Sequence, residues 1–267
     1  MNSNRVPGKK PPIVFISDFG PGHYAGQLKG AAASVAPDAA LIDLSHEITP
    51  QNVIEGAVVL ADSVEAFPKG SIFVCVVDPG VGSDRRAIAL QSNGWFFVGP
   101  DNGLMSLVPA GSDFQAVLLD KPEYFRSCVS SSFHGRDIFS PVAGHLWNGI
   151  PINDLGTQMK TDIVRVAVPA PAVSGKMIEG CSLFFDGFGN IITNINSEII
   201  GEASWAVEIK RKRIGKISRT YSDAQPGRLC AIIGSSGRLE IAIRNGSASE
   251  KLHLASPKNI RIRLVKK

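Results

Sequence analysis

Between Ile13 and Asp78 the sequence alternates three short apolar runs with two stretches of helical spacing, an alternation that few folds accept. The runs are Ile13 to Ile16, Ala39 to Leu44 and Ser71 to Val77. Between the first two, Leu28, Ala31, Ala32 and Val35 share one face of a helix. Between the second and third, Val53, Ala57, Leu60, Ala61 and Val64 form a single stripe. Thr49-Pro50 reads as the N-cap and first position of that helix, and Pro68-Lys69-Gly70 as its stop. Strand, helix, strand, helix, strand predicts an α/β domain in which helices cover a parallel sheet in three layers. The third run is apolar or β-branched almost throughout, as expected of a strand buried on both faces.

Two of these strands end on an acid and a turn rich in glycine and proline. Asp18 is followed by Phe19-Gly20-Pro21-Gly22, and Asp78 by Pro79-Gly80-Val81-Gly82. Open α/β sheets place ligand chemistry at the carboxyl ends of their strands. Arg85 lies far enough beyond Asp78 to fold back toward it. The alternative is a tight turn bearing a surface acid and two solvated arginines, Arg85 and Arg86. Neither loop has the G-x-G-x-x-G or G-x-x-x-x-G-K-[ST] pattern, so dinucleotide and P-loop readings lack motif support.

Farther on, Ala87 to Gln91 and Trp95 to Val98 flank Asn93-Gly94, a β-hairpin signal. Gly99 to Leu104 reads as a structural polar turn. The loop Ser132-Phe133-His134-Gly135-Arg136-Asp137 precedes a helix expected from about Ile138 to Trp147. The partners of His134 cannot be read from spacing. Pro169-Ala170-Pro171 and Ser174-Gly175 mark a linker. Beyond it come seven short strand patterns: 176–185, 190–195, 205–210, 213–220, 228–233, 239–244 and 260–264. They predict a small antiparallel barrel or sandwich. The expected organisation is a disordered tail over 1–12, an α/β catalytic domain over 13–168, a linker over 169–175 and an all-β barrel domain over 176–267.

The net charge of +4 over 267 residues does not by itself argue for nucleic acid or membrane. Cys75, Cys128, Cys181 and Cys230 are scattered without zinc-type spacing, and no metal is expected. With no apolar segment behind the basic N-terminus, the expectation is a cytoplasmic protein without a membrane partner. The run Lys210-Arg211-Lys212-Arg213 falls at a strand turn, where lysines guard sheet edges. It lacks interleaved aromatics, and no nucleic-acid partner is expected.

Ser17 to Gly20, Tyr24-Ala25-Gly26, Lys29-Gly30, Val77 to Arg86, Gly99 to Leu104, Phe133 to Phe139 and Phe185 to Asn194 together resemble the S-adenosyl-L-methionine (SAM) hydroxide adenosyltransferase family. These adenosine-forming hydrolases are related to fluorinase and chlorinase. Each motif alone is weak; in this order, across nearly the whole chain, they are specific. The resemblance implies an α/β domain, a C-terminal β-barrel and a homotrimer whose site lies between neighbouring subunits. It implies the reaction of SAM and water to adenosine and L-methionine, with SAM as substrate and no cofactor.

By that resemblance the catalytic set is Asp78, Arg85 and His134. Arg85 would stabilise developing hydroxide, Asp78 would hold Arg85 and orient the water, and His134 would complete the network or accept the proton. Asp18 resembles the carboxylate that bridges the ribose hydroxyls. Phe133 belongs to the matched substrate-binding segment, Phe188 would stack near adenine and Asn190 would read its edge. Asp186 and Ser236 would meet the methionine tail, and Asn245-Gly246 would lie along adenine. Ser17 stands where Thr is commoner in the family, Ala25 where Val is commoner, and Arg238 is expected near the methionine tail. Halide-using relatives lack the Asp-Arg pair, carry an aromatic at the position of Asp78 and a hydroxyl residue at that of Val81, have tryptophan at that of Gln51, and contain an extra loop. Water is therefore the expected nucleophile. A halogenase, a non-catalytic SAM or adenosine sensor, and a structural trimer are the competing readings.

Overall fold

The computed structural model describes residues 10–266. It divides into two units, one reaching Val166 and the other starting at Ala167. The first is built on seven strands: β1 (Ile13–Ser17), β2 (Leu41–Ser45), β3 (Ile72–Val76), β4 (Ala87–Ser92), β5 (Trp95–Pro100), β6 (Gln115–Leu118) and β7 (Thr157–Gln158). Their order is β2-β1-β3-β5-β4-β6-β7. β2, β1, β3 and β5 run parallel, whereas β4, β6 and β7 add on antiparallel. The parallel-sheet expectation thus holds for half the sheet. The two-residue turn Asn93-Gly94, both at positive φ, explains why β4 runs antiparallel to β5, because so short a connection joins only antiparallel neighbours.

Along β1 the residues alternate between two cores. Ile13 and Phe15 pack on one face with α1 (His23–Val35) and α3 (Ser140–Trp147), through Leu28, Ala32 and Val142. Val14 and Ile16 pack on the other with Leu60 of α2 (Val53–Ser63). With both faces covered, the strand carries no polar alternation.

Two local expectations need correction. The α2 cap is Asn52, whose Oδ1 accepts from the Glu55 backbone N–H at 3.2 Å, not Thr49. Thr49 instead donates its N–H to the Glu55 carboxylate, so the helix starts one turn later than the proline suggested. Residues 10–12 of the expected tail are ordered: Trp147 Nε1 donates to the Pro11 carbonyl at 2.9 Å and Ile72 N to that of Pro12 at 3.1 Å. The remainder of that tail, 1–9, lies outside the described residues.

The second unit comprises β8 (Ala172–Ser174), β9 (Met177–Phe185), β10 (Ile191–Asn196), β11 (Trp205–Ile209), β12 (Lys212–Ser218), β13 (Leu229–Ile233), β14 (Arg238–Ile243) and β15 (Arg261–Lys266). The order β10-β14-β13-β12-β11-β15-β9, closed by the β9–β10 pairing, makes a seven-stranded barrel. Ile178, Ile191, Val207, Ile241 and Leu264 fill its core. The seven strand patterns of the sequence are these seven strands, but the expectation of a wholly antiparallel barrel is corrected at one seam, where β12 and β13 pair in parallel. Part of the expected linker is strand as well, since β8 pairs with β9.

Candidate active site

In the α/β unit, β3 runs through buried Val77 into Asp78, and successive turns carry the chain back on itself. Val81 N donates to the Asp78 carbonyl (3.3 Å), Ser83 N to that of Gly80 (3.1 Å), and Arg85 N to Ser83 Oγ (3.3 Å). Gly82 sits at φ +79°, and a Cβ there would come within 2.6 Å of the Ser131 carbonyl oxygen. Both conditions require glycine. The result sets Arg85 against Asp78: Nε donates to Oδ1 and Oδ2 at 2.9 and 3.0 Å, and Nη2 to Oδ2 at 2.5 Å. The Asp78 and Arg85 side chains are only 6% and 10% exposed, so solvent screens this pair weakly.

Arg85 Nη2 also donates to His134 Nδ1 at 2.8 Å. A guanidinium only donates, so Nδ1 is the acceptor and the imidazole proton sits on Nε2. Burial first, then the positive charge of Arg85, holds the His134 pKa below its ordinary value. His134 itself opens a π-helical turn, Gly135–Phe139, leading into α3. Asp137 anchors that loop. Fully buried, it accepts from Arg136 Nε (2.7 Å), Arg126 Nη1 (3.1 Å) and the Ser130 N–H (2.9 Å). Burial alone would raise its pKa, but these bonds outweigh that and keep it ionised.

A cleft of about 330 Å³ is lined by Asp18, Gln51, Asp78, Val81, Phe133 and His134, among others. Asp18 Oδ2 accepts from the Gln51 backbone N–H at 2.8 Å, and Gln51 is held at φ +64° just before the Asn52 cap. Phe133 meets Phe19 and Tyr24 edge-on, each at 5.5 Å between ring centres. Arg85 is not in the cleft wall; it stands behind Asp78 and His134.

In the barrel unit, a cavity of about 530 Å³ is lined by Phe188, Asn190, Tyr221, Arg244, Asn245 and Gly246, together with Ile243. Asp186 supports it: Oδ1 accepts from the Phe188 and Asn190 backbone N–H groups, and Oδ2 from Asn190 Nδ2, all at 2.9 Å. That last bond orients the Asn190 amide, leaving its oxygen for another partner. Phe188 is 81% exposed in the single chain. Ser236 lies apart from this cavity, exposed in the turn between β13 and β14.

Sequence reasoning missed Tyr221 and Arg244. Tyr221 donates to buried Glu240 at 2.7 Å, and burial, then Glu240, raises its pKa. Nothing in its own neighbourhood signals that contact, whereas Arg244 could have been inferred from its place beside Asn245. Among the described residues no group of three His, Cys, Asp or Glu is placed to hold a metal, and no helix is long and apolar enough to cross a membrane.

Family models match both units. SAM hydroxide adenosyltransferase N-terminal domain covers residues 13–156, and SAM hydroxide adenosyltransferase C-terminal domain covers 180–261. A Thermus thermophilus protein named (R)-S-adenosyl-L-methionine hydrolase is 35% identical, over 94% of this chain and 99% of its own length. A fluorinase from an Actinoplanes species is more distant, at 28% identity over 94% of this chain and 95% of its own. Among solved structures, an uncharacterised conserved protein from Thermotoga maritima aligns with a TM-score of 0.85 at 31% identity, covering 95% of this chain and 99% of that one. With matching family models along most of its length and these relatives at its side, the chain belongs to the SAM hydroxide adenosyltransferase family.

Proposed function

We propose that this protein hydrolyses S-adenosyl-L-methionine at the ribose C5′ carbon, releasing adenosine and L-methionine. The observation that carries the reading is that Asp78 and His134 line one cleft with Asp18 while Arg85, behind them, hydrogen-bonds to both Asp78 and His134. The leaving group is a neutral thioether departing from a sulfonium and needs no general acid. The enzyme's task is to place one water in line with the C5′–S bond.

The hydrogen bonds support a division of roles. Because Arg85 occupies His134 Nδ1, His134 offers the water a donor, Nε2–H, rather than a base. Of the two carboxylates that line the cleft, Asp78 is the one linked to His134 through Arg85 Nη2, and it would accept from the water. As the C–O bond forms, the attacking water becomes a strongly acidic oxonium, so even a carboxylate paired with arginine can take its proton. Arg85 acts from behind, fixing both neighbours and keeping the site's charge preorganised. Asp18, with one oxygen on the Gln51 N–H, would meet the ribose hydroxyls, with Phe133 beside it. Asn190, Phe188 and Asn245-Gly246 would receive adenine, and Asp186 and Ser236 the methionine tail. Neither metal nor cofactor enters this scheme.

The reading includes a homotrimer in which each site is shared between neighbouring subunits, and a cytoplasmic location, in keeping with four unpaired cysteines. Sedimentation giving a monomer would remove the trimer. For the chemistry, purified protein is incubated with SAM, with and without chloride or fluoride, and the products are separated by chromatography. Adenosine and methionine in equal amounts are expected under every condition. A halogenated nucleoside as main product, or binding without turnover, would overturn the proposal.

A further inference from the structure

The charge of this chain is unevenly divided. Residues 1–166 carry 12 Lys and Arg against 16 Asp and Glu, a net −4, whereas residues 167–267 carry 16 against 8, a net +8. Such asymmetry between halves points to a polyanionic partner. The proposed reaction does not call for it, because SAM is itself a cation and its products carry no net charge.

The positive charge collects around the β11–β12 turn. On one side, a cavity of about 840 Å³ is lined by Lys210, Arg211, Lys258, Arg261 and Arg263, with Glu208 as its only acid. On the other, a cavity of about 680 Å³ is lined by Lys212, Arg213, Arg228 and Lys251, with none. Glu179 engages Arg263 at 2.7 Å and Arg261 at 3.8 Å. Arg211, Lys212, Arg213, Arg228, Lys251 and Lys258 have no ion-pair partner among the described residues, and all six are exposed.

The turn itself is the second observation. Lys210 and Arg211 sit at φ +48° and +63°, a two-residue hairpin turn that favours Asn-Gly. Two long cationic side chains stand there against backbone preference, Lys210 Nζ donating to the Leu252 carbonyl at 3.2 Å and Arg211 exposed, and such positions favour a functional hypothesis. Edge protection explains Lys212 and Arg213, since β12 meets β13 only at Ile217 and Ser218. Neither it nor the Lys210–Leu252 hydrogen bond explains Arg211.

From this we propose, against the expectation drawn from the run Lys210–Arg213 alone, that the basic face of the barrel binds the phosphodiester backbone of nucleic acid without reading bases. Phosphate contacts by Lys and Arg supply affinity and carry no sequence information. The walls of both cavities lack Phe, Tyr and Trp, so there is no platform for base stacking. Concave walls suit a strand of phosphates better than a flat lipid surface.

The test titrates the full chain into two fluorescent 20-base-pair duplexes of unrelated sequence, from 50 to 200 mM salt. Equal affinity for both is expected, with about a thousandfold loss across that range if six phosphates are neutralised. The variant Lys210→Asn/Arg211→Gly removes two cations while giving the turn its preferred residues. It should keep its melting temperature and SAM turnover, and the log–log salt slope should fall by about 2. No binding at 50 mM salt, an unchanged slope in the variant, or binding to phosphatidylglycerol vesicles but not to duplexes would overturn the proposal.

Discussion

The cleft of the α/β unit and the cavity of the barrel unit are held together by different forces. In the cleft, an ion pair of low exposure joins side chains seven residues apart and reaches a histidine 49 residues farther on. In the cavity, one carboxylate serves its own turn: Asp186 binds residues two and four positions ahead. The first arrangement fixes charge in a weakly screened place, as bond-making requires. The second shapes a surface and orients one amide, which suits recognition. Damage to the cleft should therefore appear in kcat and damage to the cavity in KM.

The sharpest way to break this contrast is Asp78→Asn. Loss of the carboxylate paired with Arg85 should lower kcat by about 10²- to 10⁴-fold with little change in KM, measured by adenosine release. Arg85→Lys should follow at about a hundredfold, because an ammonium cannot span the Asp78 carboxylate and His134 Nδ1 together. A mainly raised KM in either variant would dissolve the distinction.

A pH profile sharpens it further. The working form of His134 is neutral, and burial and Arg85 hold its pKa below the ordinary 6.5. Activity should therefore persist below pH 6.5 and fall only as pH drops through that lowered value. In Arg85→Met the acid limb should move upward, toward the ordinary histidine value. An unmoved limb would assign it to another group.

Smaller effects belong to the barrel. Asp186→Asn should raise KM by about tenfold, since losing the charge weakens three hydrogen bonds at once, with kcat nearly unchanged. Phe188→Ala should raise it only about three- to tenfold, the range of one aromatic stacking contact. Isothermal titration with SAM analogues checks both, and a collapse of kcat in either would mean that the barrel takes part in the chemistry.

Much of this was legible because the signals are local. A carboxylate at a strand end, a Pro-Gly turn and an arginine seven residues on lie within a single loop, so Asp78 and Arg85 could be paired before any fold was known. The seven barrel strands were equally visible, each announced by its own pattern and turn. Less visible was β6, four residues long, whose pairing with β4 comes from the sheet and not from its composition. The α2 cap was misread because the proline signal competed with Asn52, and the reciprocal bonds with Glu55 decided between them.

The sequence by itself determined the element types, the two-unit plan and the residue kinds at each strand end, since backbone preference and hydrophobic period act over a few neighbours. Tertiary structure alone decided that β6 and β7 extend the sheet beyond the hairpin, that the barrel closes through β9 and β10, and that Arg85 stands behind His134, not in the cleft wall. Those outcomes depend on which distant groups end up within about 3 Å of one another, where hydrogen bonds form, and no local pattern encodes that distance.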